Sequence, residues 1–194
     1  FAQELIKRDL ISPSMNVPAP DIGSSSREMA WIADEYRKIH PSDINGAACV
    51  TGKPANKNGL PGREEATGRG VQFIVREFFR NSDLLKKVKL DENLATKSMI
   101  VQGIGNVGYH LSKFLTEEDQ VKLIGISEYN GGIYNAEGIN VEHAKKYFKQ
   151  HKSFSNYPKA TFIKDSSLLL KRGCDILIPA ARENVITEKN AEDI

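Results

Sequence analysis

The chain has 194 residues, of which 40% are hydrophobic and 27% are charged, as is ordinary for a soluble globular protein. Its 27 basic and 25 acidic residues leave a net charge of +2, which gives no electrostatic footprint for nucleic acid or a membrane surface. No apolar run is long enough to span a bilayer, and the isolated Cys49 and Cys174 lack metal-site spacing. We therefore expect no nucleic-acid, membrane or metal partner.

The first long helix is predicted to begin near Ser26. Ser25 and Glu28 have the spacing of a capping box, and apolar residues then recur at helical intervals. The segment before it, "NVPAPD" (residues 16–21), ends in Asp21 after two prolines that restrict its backbone. Such an aspartate is either part of the helix entry or a general acid–base group held still, and the spacing alone leaves both open.

Residues 51–70 are dense in Gly, Pro and Asn. This composition predicts that the segment begins as a loop, and it is the best candidate for a domain boundary. From Val71 the apolar stripe returns and predicts a second long helix to about Arg80. Residues 81–97 then resemble a surface connection with some helical turns.

After Ser98, short apolar runs alternate with amphipathic segments. Strands are predicted in "MIVQGIG", "VKLIGIS", "ATFI" and "CDILIP", the first and last of them buried, and helices over residues 106–119, 141–151 and 166–171. An Asn-Gly-Gly turn at residues 130–132 separates two short extended pieces. The alternation predicts an α/β fold with a Rossmann-like, doubly wound parallel sheet.

A glycine loop joins the first of these strands to its helix. Gly103, Gly105 and Gly108 form the pattern G-x-G-x-x-G. Glycine suits this place because a side chain would keep the backbone from a pyrophosphate, which the free N–H groups of the following helix attract. The alternative is a turn that merely packs the helix on the strand, but the strand–loop–helix context favours dinucleotide binding.

Two further features lie at the carboxyl ends of the predicted strands. Glu128 follows Gly105 by 128 − 105 = 23 residues, close to the ~20 expected for a carboxylate that binds ribose hydroxyls. An acid there would repel a 2′-phosphate and so favours NAD, with NADP possible. Ala180 and Ala181 follow the last strand, where small side chains let a cofactor approach or simply make a tight turn.

Six ordered motifs give the chain a family resemblance. They are "NVPAPD", "REMAWIADEY", "DINGAACVTGKP", "REEATGRGV", "VQGIGNVG" and "CDILIPAA". Together they resemble glutamate dehydrogenases, most closely the hexameric animal-type enzyme. The resemblance implies that residues 1–58 are the C-terminal part of a substrate domain and residues 59–194 most of an NAD(P)-binding Rossmann domain. It also implies reversible oxidative deamination of L-glutamate to 2-oxoglutarate and ammonia.

The resemblance assigns roles to individual residues. It implies that Asp21 is the catalytic aspartate that relays protons, that Arg63 lies at the substrate-binding edge, and that Thr67 hydrogen-bonds the nicotinamide carboxamide. It also implies that the backbone at Asn106 and Val107 meets the pyrophosphate. From the residues alone, Thr67 is equally placed to cap a helix ahead of Gly68, and Arg63 to be a solvated loop cation.

Several expectations extend beyond these residues. The resemblance implies a homohexamer in the mitochondrial matrix, with the cytoplasm as the alternative location. Leucine, valine and phenylalanine dehydrogenases share the style of the glycine loop, and a non-catalytic NAD-binding module is the alternative of another class. Two departures are Asn16, where the family usually has an acid, and "GLPGREEATG", which is closer to bacterial relatives.

The chain lacks a glycine-rich lysine segment and the family's catalytic lysine. It also opens with Phe1 rather than methionine. We therefore expect it to be a fragment of a longer polypeptide and to show no glutamate turnover on its own.

Overall fold

A computed structural model describes all residues, 1–194. The chain folds into two compact units, Phe1–Arg63 and Glu64–Ile194. The predicted boundary after residue 58 falls inside the first unit, and the assignment of residues 1–58 to a substrate domain stays a prediction. No helix in the structure combines the length and the apolar character needed to cross a membrane.

The first unit is built around two helices, α1 (Ala2–Lys7) and α2 (Ser26–Ile39). The capping box predicted at the start of α2 is present: the Ser25 N–H donates to the Glu28 carboxylate at 2.7 Å, and the Ser25 hydroxyl accepts from the Arg27 N–H. A small core fills the space between the helices and the turn that follows them. Its buried members are Ile6, Ile11, Met29, Ala33, Tyr36, Cys49 and Val50.

The second unit holds the remaining helices and the only sheet. The helices are α3 (Arg63–Arg80, whose first residue belongs to the first unit), α4 (Ser82–Val88), α5 (Asn106–Glu117), α6 (Val141–His151) and α7 (Ser167–Leu170). The strands are β1 (Ser98–Gln102), β2 (Lys122–Glu128), β3 (Gly131–Tyr134), β4 (Thr161–Ile163) and β5 (Ile176–Pro179). All four predicted strands and the three later helices are thus present.

The sheet has the order β4-β3-β2-β1-β5. β1 pairs in parallel with both β2 and β5, whereas β3 is antiparallel to β2 and to β4. The α/β fold with an open, mostly parallel sheet is confirmed. β3 runs opposite to the others because the turn after Glu128 is too short for a crossover, which needs a dozen or more residues.

Both faces of the sheet are covered. α5 and α6 close one face over a large core that contains Val101, Leu111 and Leu115, all fully buried. On the other face, Ile100, Ile124 and Leu169 form a smaller cluster under α7. The carboxyl ends of β1, β2 and β5 therefore meet at one edge, between the loops that follow them.

Two predicted boundaries are wrong. The turn after β2 lies at Tyr129 and Asn130, so that Gly131 and Gly132 belong to β3 and not to the turn. α3 begins at Arg63, eight residues before the predicted Val71, so that residues 63–70 are helical rather than loop. The two glycines of "TGRG" favour a loop by propensity, but Gly68 is where α3 packs against α5. A Cβ at Gly68 would lie 2.7 Å from the Leu111 nitrogen, so the close contact itself requires glycine.

Candidate functional site: the glycine loop and the Asp21 loop

The glycine loop connects β1 to α5 and is folded tightly. Gly103 has φ +88° and donates its N–H to the Ser127 carbonyl at 2.7 Å. A Cβ at Gly103 would lie 2.8 Å from the Ala181 Cβ, and one at Gly108 would lie 2.0 Å from the Gly103 carbonyl oxygen. Two of the three glycines are thus required by the packing of the protein itself.

Gly105 is different, because a Cβ there would meet nothing within 4 Å. It occupies the N-cap of α5, and no side chain caps the helix. The first N–H groups of α5, at Asn106, Val107 and Gly108, have no partner within the helix and carry the positive end of its dipole. A backbone cradle with open space before uncapped N–H groups fits the pyrophosphate of a dinucleotide.

Glu128 ends β2 beside this loop. Its Oε1 accepts the N–H of Ile104, the residue between the first two glycines, at 2.7 Å. Ala180 and Ala181 lie on the other side: Ala180 donates its N–H to the Gln102 carbonyl, and both alanines line the close approach to Gly103. The structure therefore brings the predicted glycines, Glu128 and the two alanines together around one loop.

Thr67 lies in the fifth position of α3, so the alternative in which it caps a helix is wrong. Its side chain is exposed. The next residue, Gly68, packs against the first turns of α5, where a Cβ would lie 3.1 Å from the Val107 carbonyl oxygen. Thr67 therefore lies near α5, the helix that follows the glycine loop.

The Asp21 loop, residues 16–24, belongs to the first unit. Three contacts hold it: the Thr51 N–H donates to the Pro18 carbonyl at 2.9 Å, the Arg63 guanidinium donates to the Pro20 carbonyl at 3.1 Å, and Pro20 presses on Gly52. At Gly52 a Cβ would lie 2.6 Å from the Pro20 ring. Arg63 is therefore tied to this loop rather than being only a solvated cation.

Asp21 itself is fixed by a local turn. Its N–H donates to the Ser24 hydroxyl at 2.8 Å, and the Ser24 N–H donates back to the Asp21 carbonyl at 2.9 Å. Its side chain is exposed, with Oδ1 accepting the Ile22 N–H at 2.7 Å. The other carboxylate oxygen, Oδ2, takes no part in that bond. The prolines and Ser24 restrain the backbone of this residue.

Sequence reasoning missed Lys145 of α6. Its ammonium donates to the Ile104 carbonyl at 2.5 Å, which places a cation on the residue that also binds Glu128. The only available signal was the lysine-rich sequence of α6, which is equally typical of a solvated helix face.

Comparisons with known proteins agree with this geometry. Residues 59–194 match a family described as glutamate/leucine/phenylalanine/valine dehydrogenase, and residues 1–38 match the dimerisation domain of the same family. The chain is 46% identical over 98% of its length to a mitochondrial glutamate dehydrogenase of Dictyostelium discoideum. It is 41% identical over 99% of its length to "Probable glutamate dehydrogenase" of Sinorhizobium fredii. It spans only 38% and 43% of these two relatives.

Solved structures show the same likeness. The whole chain superposes on hetero-hexameric glutamate dehydrogenase from Thermus thermophilus with a TM-score of 0.80 at 27% identity, and covers 42% of that chain. The corresponding values for glutamate dehydrogenase from Peptoniphilus asaccharolyticus are 0.71 and 28%, with 43% covered.

Proposed function

The chain belongs to the glutamate/leucine/phenylalanine/valine dehydrogenase family, and we propose from this membership that the full-length protein is a glutamate dehydrogenase. It would catalyse the reversible, NAD(P)-dependent oxidative deamination of L-glutamate to 2-oxoglutarate and ammonia. The observation that carries the proposal is the 46% identity to the Dictyostelium enzyme, because it extends over 98% of this chain and so includes both the Asp21 loop and the glycine loop.

The residues around the glycine loop would hold the cofactor. The N–H groups of Asn106, Val107 and Gly108 would bind its pyrophosphate, and Glu128 would bind the ribose hydroxyls and favour NAD. The Thr67 hydroxyl would hydrogen-bond the carboxamide. When bound, the nicotinamide ring supplies the acceptor for the hydride that leaves the α-carbon of glutamate.

Asp21 would move the protons of the reaction. It accepts a proton from the substrate ammonium, which frees the nitrogen lone pair to form the C=N bond as hydride leaves the α-carbon, and the substrate becomes an iminium ion. Asp21 releases this proton to solvent. As a carboxylate again, it accepts a proton from the water that attacks the iminium carbon and passes it to the nitrogen of the resulting carbinolamine, which leaves as ammonia while the carbinolamine hydroxyl loses its proton to solvent. Arg63, tied to Pro20, would place a positive charge beside this loop for a substrate carboxylate.

Substitution of Asp21 by asparagine tests the proposal. In the full-length protein, Asp21→Asn should lower kcat for glutamate by about 10²- to 10⁴-fold, the usual contribution of general acid–base catalysis, without changing the affinity for NAD. Asp9→Asn is the matched control: Asp9 is an exposed residue of the same unit with φ +54°, a conformation that asparagine also adopts readily. A kcat for Asp21→Asn equal to that of the control would refute the role of Asp21.

The substrate is tested separately. The family model also covers leucine, phenylalanine and valine dehydrogenases, so kcat/KM should be compared for glutamate and leucine. A higher kcat/KM for leucine would refute glutamate as the substrate and support leucine instead. Binding of NAD without turnover of any amino acid would favour the non-catalytic module.

The relatives also support proposals for assembly and location. We propose a homohexamer. The hetero-hexameric Thermus structure supports the number of subunits but not their identity, and light scattering of the full-length protein measures its mass directly. We propose the mitochondrial matrix, supported by the name of the Dictyostelium relative, with the cytoplasm as the alternative that the bacterial relative supports. Fractionation of the source cells separates the two.

A further inference from the structure

Lys145 contacts the glycine loop at Ile104, the residue that also binds Glu128, the carboxylate proposed to bind the ribose. It lies on α6 and is half-buried, with its ammonium on the Ile104 carbonyl and 5.3 Å from the centre of the Tyr109 ring. Burial lowers the pKa of Lys145, the positive charges of Lys149 and Lys152 lower it further, and Glu128 raises it. The side chain is thus fixed inside the loop region rather than extended into solvent.

Ile104 bridges Lys145 to Glu128. The Ile104 N–H donates to the Glu128 carboxylate, and the Ile104 carbonyl accepts from the Lys145 ammonium. A single residue of the glycine loop therefore binds a carboxylate through its N–H and an ammonium through its carbonyl. The negative field that Glu128 alone would create at the ribose subsite is offset by the charge of Lys145.

Two more lysines, Lys149 and Lys152, add positive charge near Lys145. Asn130, in the turn after β2, donates from its side-chain amide to the Lys152 carbonyl at 2.8 Å, which ties the end of α6 to the residues just beyond Glu128. Lys149, one turn along α6 from Lys145, is exposed, as is Lys152. The charges of Lys149, Lys152 and Glu128 therefore all act on Lys145, which sets three lysines and one carboxylate near the glycine loop.

In dinucleotide-binding folds the carboxylate at this strand end excludes a 2′-phosphate, and a nearby cation accommodates it. We propose that Lys145 is the specificity-determining residue that lets this chain accept the 2′-phosphate of NADP as well as the free ribose of NAD. The inference rests on the proposed function, since it assumes that a nicotinamide dinucleotide occupies the glycine loop. Lys145 supplies the charge-assisted contact to the phosphate, and Lys149 and Lys152 add to the attraction.

The test is the affinity of the full-length protein for NAD and NADP, measured by calorimetry without substrate. Lys145→Gln should weaken NADP binding by about 10- to 100-fold, the range for loss of one hydrogen bond to a charged group. It should leave NAD binding within about threefold. Lys145→Arg should restore NADP binding. Lys146→Gln, an exposed neighbour that removes the same charge, is the control.

The outcomes separate the inference from the function it rests on. NAD binding without NADP binding in the unmodified protein overturns the inference and leaves the proposed function standing, whereas failure of both nucleotides to bind overturns both. Equal weakening of NAD and NADP by Lys145→Gln shows that the lysine only supports the loop, and an equal effect of Lys146→Gln shows a general charge effect. Both results reject Lys145 as the specificity residue.

A second measurement needs no variant and so is independent of folding defects. 2′,5′-ADP and 5′-AMP differ only in the 2′-phosphate. The unmodified protein should bind 2′,5′-ADP at least as tightly as 5′-AMP if Lys145 and its neighbours attract that group. Tighter binding of 5′-AMP would mean that the repulsion by Glu128 dominates, and the inference would be rejected.

Discussion

Two glycines of the G-x-G-x-x-G loop, Gly108 and Gly105, should respond in opposite ways to an added side chain. At Gly108 a Cβ would lie 2.0 Å from the Gly103 carbonyl oxygen and 3.0 Å from the carbonyl carbon. The obstacle is backbone, so no rotamer change relieves it. Gly108→Ala therefore forces the loop to move, and overpacking of this kind costs about 1–3 kcal/mol.

The net loss is smaller than the clash alone, because alanine in a helix is favoured over glycine by about 0.5–1 kcal/mol. A clash at the upper end of the range therefore leaves a loss of about 2 kcal/mol. At roughly 2–4 °C per kcal/mol, Tm should fall by about 4–8 °C. Differential scanning calorimetry measures this, and Gly70→Ala is the control, because Gly70 lies in α3 with nothing within 4 Å.

Gly105 should show the opposite behaviour. A serine at this N-cap has open space and caps α5 through the N–H of Val107 or Gly108, so Tm should not fall. The same hydroxyl then competes with the cofactor phosphates for that N–H, and NAD should bind about 10- to 100-fold more weakly. An unchanged Tm for Gly108→Ala, or a destabilised Gly105→Ser that still binds NAD normally, would refute this division of roles.

Two further substitutions concern carboxylates. Glu128→Ser removes the proposed ribose reader and should shift the ratio of NAD to NADP affinity towards NADP; an unchanged ratio would show that Glu128 does not read the ribose. The pKa of Glu28 is lowered to about 2, chiefly by the Ser25 hydroxyl and then by Arg27. Because its pKa is lower in the folded state than the ordinary 4.5, its stabilising effect is complete above that value and is lost as pH falls towards 2. Glu28→Gln should therefore flatten the fall in urea-unfolding free energy over this acid range, and an identical slope in both proteins would contradict the assignment.

The elements that the sequence predicts well are those whose signals are local. The sequence predicts α6 with its observed bounds, Val141–His151; in the structure Asn140 caps its start and Lys152 in the left-handed conformation ends it. The sequence does not predict the start of α3, because the need for glycine at position 68 arises from its contact with Leu111, which lies far along the chain. Propensity favoured a loop there and tertiary packing prevailed.

The features of the candidate site likewise separate into those with a local sequence signal and those set by long-range contacts. The glycine spacing and the acid at the end of β2 are sequence patterns with a known physical purpose, and the structure does gather Gly103, Gly108 and Glu128 around one loop. The positioning of Lys145 depends on a contact with a residue 41 positions away. The anchoring of the Asp21 loop by Arg63 spans 43 positions. Pairings at such distances are set by the assembled fold.

The order of strands in the sheet has a consequence for synthesis of the protein. β1 is made first but becomes an interior strand only when β5 arrives, since Ser98 bonds Asp175, 77 residues later. At the usual 5–20 residues per second, the ribosome needs roughly 4–15 s to make that stretch. During this interval one edge of β1, with its apolar run Met99 to Val101, stays unpaired on the nascent chain. That edge is where we expect a chaperone to act, and where misassembly would begin.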